Sequence, residues 1–167
     1  MTSSARSCSN REPEPGDLGP APAGRRVVGP AGVSAGGPAS PVAVVTAYLD
    51  ALNDHDPDEA SRWVADDFFN EHVSVRGTSF RGRREYRRRV EAFLRDMVDL
   101  HYDVERMVAT GDTVVVAYRM SAQWSYEGGG RPFTIRGVFW FEVLGGRIAH
   151  RVDYRDGVDF EQQVGLR

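Results

Sequence analysis

From about residue 100 onward the chain alternates apolar and polar residues with a period of two, and this alternation constrains its fold more than any other feature. Four segments carry it, near 100–109, 112–124, 132–143 and 147–155. Turn signals separate them at Thr110-Gly111-Asp112, Glu127-Gly128-Gly129-Gly130 and Gly145-Gly146. Consecutive strands joined by short turns predict an antiparallel meander. In the second strand Val114, Val116, Tyr118, Met120, Ala122 and Trp124 form one apolar face, while Val115, Ala117, Arg119, Ser121 and Gln123 form a mixed one. The last strand splits into Ile148, His150, Val152 and Tyr154 against Ala149, Arg151, Asp153 and Arg155.

Helical signals precede the strands. Ser40 is a cap with Pro41 at the first helical position, and Val45, Tyr48, Leu49 and Leu52 recur at helical spacing until Asn53. Asp56-Pro57-Asp58-Glu59 restarts a helix that carries Trp63 and Val64 inward. Phe68 to Val73 reads as a short strand. After Gly82 a third helix places Tyr86, Val90, Phe93, Leu94 and Met97 on one stripe. Three helices cover one face of a long curved sheet, so an apolar second face predicts a homodimer through the sheet. A meander half-wrapped around helices also leaves a cavity suited to a small apolar molecule.

Residues 1–41 hold seven of the nine prolines and seven of the eighteen glycines, with almost no large apolar residues. Such a stretch buries too little surface to offset its ordering entropy, which predicts a disordered tail over 1–40 and one domain over 41–167. The tail lacks the apolar core of a signal peptide, and no segment has the roughly twenty apolar residues of a membrane helix, so the expectation is a cytoplasmic protein without a membrane partner. All 21 basic residues are arginine. Without lysine there is no Schiff-base amine, phosphate-loop lysine or amine general base. The only cysteine, Cys8, falls in the tail, which excludes an intrachain disulfide and a cysteine metal cluster.

The densest charge feature comprises Arg76, Arg81, Arg83, Arg84, Arg87, Arg88 and Arg89. Clustered guanidiniums could neutralise phosphates. However, Glu85 with Arg89, Arg87 with Glu91 and Glu91 with Arg95 stand at i, i+4 spacing opposite the apolar stripe, and no base-stacking aromatics interleave. We read a solvated helix face and no nucleic-acid partner. Asp54-His55-Asp56-Pro57-Asp58 resembles the start of a calcium loop but has Glu59 where the turn glycine belongs. Gly77-Thr78-Ser79-Phe80-Arg81 misses a nucleophile elbow at Arg81. Histidines 55, 72, 101 and 150 show no pair at metal-ligand spacing. Neither metal nor cofactor is expected.

On the last strand Asp153 sits among arginines on a strand inside the sheet. A carboxylate at the bottom of an apolar cavity is a general base, its pKa raised by desolvation and lowered by neighbouring Arg. A structural ion pair fits the same pattern. His72 either points to the cavity mouth or pairs with Glu71 outside. His150 alternates out of phase with Asp153 and belongs to the dimer side.

The order of elements, with Asn70-Glu71-His72, Ile135-Arg136-Gly137-Val138-Phe139, Asp153-Tyr154-Arg155-Asp156 and Phe160-Glu161, resembles the nuclear transport factor 2-like superfamily over about residues 42–165. Within it the chain is most similar to SnoaL-like polyketide cyclases and limonene-1,2-epoxide hydrolase. The resemblance implies an α+β, cystatin-like roll: a cone-shaped curved antiparallel sheet packed on three helices, usually dimeric. Carried over by position, Asp153 falls on the base that activates water, Asn70 on the amide that holds that water, and Arg119 on the arginine bridging two acids. Phe68 replaces a tyrosine that positions the water, and Ser121 replaces the aspartic acid that protonates the epoxide. Serine is a poor proton donor. SnoaL-like cyclases use the acid of the closing strand to remove a proton beside a carbonyl, with Asn70, His72 or Arg119 as donors to the enolate. The implied function is a cofactor-independent cyclase, isomerase or hydrolase acting on a polyketide-like ketone or epoxide, with Phe133, Ile135 and Phe139 as cavity walls and Arg151 beside the acid. A non-catalytic ligand-binding or dimerisation domain of the same fold is the alternative.

Overall fold

The computed structural model describes residues 39–73, 77–126 and 129–166, all within one compact unit. The expectations for the tail, Cys8, Arg76 and Glu127-Gly128 lie outside the described residues.

Helix α1 spans Pro41–Asn53, and the Ser40 hydroxyl accepts from the Ala43 amide at 3.2 Å as its cap. Helix α2, Pro57–Arg62, starts at Asp56, whose carboxylate accepts from the Asp58 and Glu59 amides. The acids of the calcium-like segment thus serve a helix start. Strand β1 (Val64–His72), strand β2 (Phe80–Arg81), helix α3 (Arg83–Asp96) and strands β3 (Met97–Thr110), β4 (Thr113–Tyr126), β5 (Gly129–Leu144) and β6 (Arg147–Arg155) follow, and helix α4 (Gly157–Gln163) closes the fold.

The six strands form one sheet in the order β2-β1-β6-β5-β4-β3. Strands β3 to β6 are the antiparallel meander that the alternation predicts. The β5–β6 turn is two residues long, with Gly145 and Gly146 at φ 58° and 75°, the left-handed pair that a twisted hairpin requires. Three details correct the sequence reading. Strand β1 begins at Val64 rather than Phe68 and pairs parallel to β6, so the sheet is mixed. A fourth helix packs Phe160 edge-on against Phe133 at 4.9 Å. Met97 opens β3 instead of ending the helical stripe.

The inner face of the sheet carries the core. Val114, Val116, Tyr118, Met120 and Ala122 of β4 are all buried, as are Phe133, Ile135, Phe139 and Phe141 of β5. Val44, Val45, Tyr48, Leu49, Ala51 and Leu52 of α1 and Tyr86, Val90 and Leu94 of α3 are buried against it. Removing these side chains from water supplies the main favourable term in folding. The outer face carries Val108, Val115 and Trp140 in register across three strands, with Ala117, Val138 and Tyr154 beside them.

Candidate functional site

Strands β1 and β6 run parallel in a register that pairs Asn70 with Arg151 and His72 with Asp153. Because side chains alternate along a strand, these four residues share the inner face. They border one cavity of about 450 Å³ between the sheet and α3. Its walls come from Leu52, Phe80, Tyr86, Val90, Phe93 and Tyr102, with Arg88 and Arg89 of α3 at the rim.

Asp153 is 7% exposed. Its Oδ1 accepts a 2.8 Å hydrogen bond from the Tyr118 hydroxyl. Its Oδ2 accepts no hydrogen bond among the described residues and lies 3.5 Å from His72 Nδ1 and 3.9 Å from Arg155 Nε. Burial raises the Tyr118 pKa well above the ordinary phenol value, and the Asp153 charge adds to that rise, so the phenol stays a donor. Burial, followed by the Arg151 charge, lowers the pKa of His72 to about 4 against the opposing pull of Asp153. Its imidazole is therefore neutral at pH 7. His72 faces the cavity and not Glu71, which instead meets His150 at 3.0 Å on the outer face. His150 also stacks on Phe69 at 4.9 Å.

Asn70 is fully buried, and neither atom of its amide has a hydrogen-bond partner among the described residues. An orphaned amide costs free energy, so a buried one beside a cavity marks a place where a ligand can complete the bonding. Arg151 donates to the Tyr48 hydroxyl and packs over the Phe139 ring at 5.1 Å, while its Nε is buried without a hydrogen-bond partner among the described residues. Burial opposes the charge, but Tyr48, Tyr86, Asp153 and Tyr102 around it hold its pKa above the ordinary guanidinium value.

The structure brings Asn70, His72, Arg151 and Asp153 together, and it does not bring Arg119 or Ser121 to them. Both lie on the outer face, one residue out of phase with Tyr118 and Met120. Arg119 pairs with Glu105 at 3.0 Å and is half exposed. Phe68, Phe133, Ile135 and Phe139 point inward but are packed into the core beneath the cavity instead of walling it. Three contributors were missed as site residues. Tyr118 was legible as a member of the apolar face of the second strand and Tyr102 only by falling within the first alternating segment, with nothing in their spacing to single out a hydroxyl. Arg155 was legible on the Asp153 face.

The arginine-rich helix α3 carries the ion pairs of a solvated face, Arg87 with Glu91 and both Arg88 and Arg89 with Glu85. Arg95 pairs with Asp96 rather than Glu91. Among the described residues no group of three His, Cys, Asp or Glu side chains could hold a metal ion. No helix among them is long and apolar enough to cross a membrane.

Several solved structures share this architecture. An assigned SnoaL-like polyketide cyclase from Shewanella denitrificans OS-217 superposes with a TM-score of 0.69 at 19% identity, covering 76% of this chain and 98% of that one. An assigned polyketide cyclase from Pseudomonas putida KT2440 gives 0.64 at 19% identity, covering 75% and 98%. A protein of ketosteroid isomerase-like fold from Catenulispora acidiphila DSM 44928, in complex with trimethylamine, gives 0.67 at 19% identity, covering 74% and 93%. These likenesses establish the fold. No curated protein sequence matches the chain. The family model for the SnoaL-like domain matches residues 45–151, from the first turns of α1 to Arg151 on the cavity wall. The chain belongs to the SnoaL-like domain family.

Proposed function

We propose that the chain is a small-molecule enzyme of cyclase or isomerase type in which Asp153 is the general base. The observation that carries this reading is the placement of a buried carboxylate, with one oxygen tied to Tyr118 and the other without a hydrogen bond among the described residues, beside the orphaned amide of Asn70 in one cavity. Oδ2 takes a proton from a carbon next to a substrate carbonyl. The electron pair of the broken C–H bond moves onto the carbonyl oxygen, where the Asn70 Nδ2 hydrogens and the charge of Arg151 stabilise the enolate. The enolate then either attacks a second carbonyl of the same molecule or takes the proton back at another carbon. Asp153 returns the proton in both cases, so no oxidant or further reactant enters.

Proton removal is favoured over epoxide opening. Asp153 is the sole carboxyl group among the described residues bordering the cavity. A leaving epoxide oxygen would lack the acid it needs. The same reading carries a homodimer through the outer face, where Val138, Trp140 and Tyr154 form an apolar surface that none of the described helices covers.

Asp153→Asn tests the assignment. The change is nearly isosteric, so turnover on a panel of cyclic and polyketide-like ketones should vanish while the melting temperature shifts little. Unchanged turnover, or a large loss of stability, would return Asp153 to the structural role of the alternative binding domain.

A further inference from the structure

Four arginines border the cavity, Arg88, Arg89, Arg151 and Arg155, against one acidic residue, Asp153, among its described residues. Behind the rim, Glu85 answers Arg88 and Arg89 together, at 2.6 Å from each. One carboxylate thus serves two arginines, and Arg151 makes no ion pair among the described residues. The arginines bordering the cavity outnumber the carboxylates that answer them; Arg151 is shielded, so low dielectric strengthens its charge, whereas Arg88 and Arg89 meet solvent.

The charges are ordered along the cavity. The side chains of Arg88 and Arg89 are 67% and 37% exposed, whereas Asp153 is 7% exposed and Asn70 is fully buried. Arg88 and Arg89 therefore mark the mouth, and Asp153 and Asn70, with Arg151 beside them, mark the floor. Phe80, Val90 and Phe93 supply apolar wall to the same cavity, with the Arg89 guanidinium 4.6 Å from the Phe80 ring centroid. A molecule that satisfies all three levels has an anionic end, an apolar cyclic middle and a carbonyl end.

We propose that this cavity accepts a cyclic or aromatic keto acid whose carboxylate pairs with Arg88 and Arg89 at the mouth while its carbonyl end reaches Asn70 and Asp153. The orientation rests on the acid–base reading above, whereas the preference for a carboxylate rests on the arginines alone. A planar carboxylate conjugated to a ring matches the guanidinium fork and lies flat against the Phe80 and Phe93 walls. The excess charge also predicts that the preference weakens with salt.

The test uses the full chain, isothermal titration calorimetry at low ionic strength, and three probes: 2-naphthoate, methyl 2-naphthoate and inorganic phosphate. The acid should bind roughly tenfold or more tightly than its ester, with a preference that shrinks as salt is added. Arg88→Gln/Arg89→Gln should bring the acid down to the ester and leave the ester unchanged. Arg88→Gln alone, at a mostly exposed position, should remove part of the preference should the double variant fold poorly. Equal binding of acid and ester, no saturable binding of the acid, or displacement of naphthoate by phosphate at matching concentration would each overturn the proposal. Turnover plays no part in these readouts. In Asp153→Asn, naphthoate binding should persist or tighten because a nearby negative charge is gone, so the acid–base reading can fail while the preference stands, and the reverse.

Discussion

The hydroxyl of Tyr118 on β4 donates to Asp153 Oδ1 on β6 at 2.8 Å, reaching across the intervening strand β5. The bond fixes the plane of the carboxylate and leaves Oδ2 turned toward His72 and Arg155. Tyr118→Phe keeps the ring and deletes the donor. A hydrogen bond to a charged acceptor contributes about 1.5–3 kcal/mol, so urea unfolding should report a loss of about 2 kcal/mol. An unchanged urea midpoint would mean that water replaces the phenol at Oδ1.

That reach is possible because the residue beneath it is glycine. Gly137 pairs with Tyr118 on one side and Arg155 on the other. A Cβ at this position would lie 2.5 Å from Tyr118 Cζ and 2.8 Å from the Tyr154 carbonyl oxygen. Gly137→Ala should therefore destabilise the fold by about 2–3 kcal/mol, the cost of overpacking a well-filled interior. Combining it with Tyr118→Val should cost less than the two changes added, since the valine vacates the contested space, and thermal melts of the four proteins in the cycle measure that coupling.

The alternation along β4 and β6 made much of this geometry readable from the sequence. Arg151, Asp153 and Arg155 share the face on which the period of two places them. The same parity sets Arg119 and Ser121 opposite Tyr118, so the strand pattern and the positional resemblance to epoxide hydrolase disagreed within one segment, and the structure follows the pattern. Parallel pairing of β1 with β6 was not readable, because about 80 residues separate the partners and periodicity says nothing of strand direction. Nor were the cavity walls. Phe133, Ile135 and Phe139 point inward as expected, but α4, Tyr102 and Tyr118 pack over them, and the lining comes from Leu52, Phe80, Tyr102 and α3.

His72 predicts a pH dependence of stability. Its pKa falls from 6.5 to about 4 in the folded protein, chiefly by burial and then by Arg151. Between these values the unfolded chain binds a proton at His72 that the native state does not. Stability is therefore complete above pH 6.5 and is lost as pH falls toward 4, by about 3 kcal/mol over the window. His72→Gln removes this titration. Its melting temperature, followed from pH 7 to pH 4, should decline less steeply than that of the parent, and parallel curves would show that the imidazole titrates near its free value.

Arg119 separates positional resemblance from geometry. Its side chain is 48% exposed on the outer face, and the Glu105 carboxylate that it meets also holds Arg136 at 2.8 Å. Arg119→Gln should change stability by under about 0.5 kcal/mol, as exposed ion pairs do. Turnover on any accepted substrate should stay within about twofold of the parent, a change too small to mark loss of a catalytic charge. A collapse of turnover would place Arg119 in the machinery and contradict the facing of β4.

Asn70 carries the opposite expectation, because the fold gains nothing from its amide. The residue is fully buried and both polar atoms lack partners among the described residues. Leucine has the same branched set of side-chain heavy atoms with bulkier methyls in place of the amide, so Asn70→Leu deletes an unsatisfied donor and acceptor without opening a cavity, and its extra volume has the adjoining cavity to enter. Each orphaned group costs about 1–3 kcal/mol, and the variant should be more stable than the parent by about 1–2 kcal/mol after imperfect fit is allowed for. Its turnover should fall by roughly a hundredfold or more, the usual effect of removing a donor to a developing oxyanion. Differential scanning calorimetry and the ketone panel would be run on one preparation. A variant that melts lower, or that keeps its activity, would show that the amide serves the fold; a variant that melts higher and is inactive would show that it is held for the ligand.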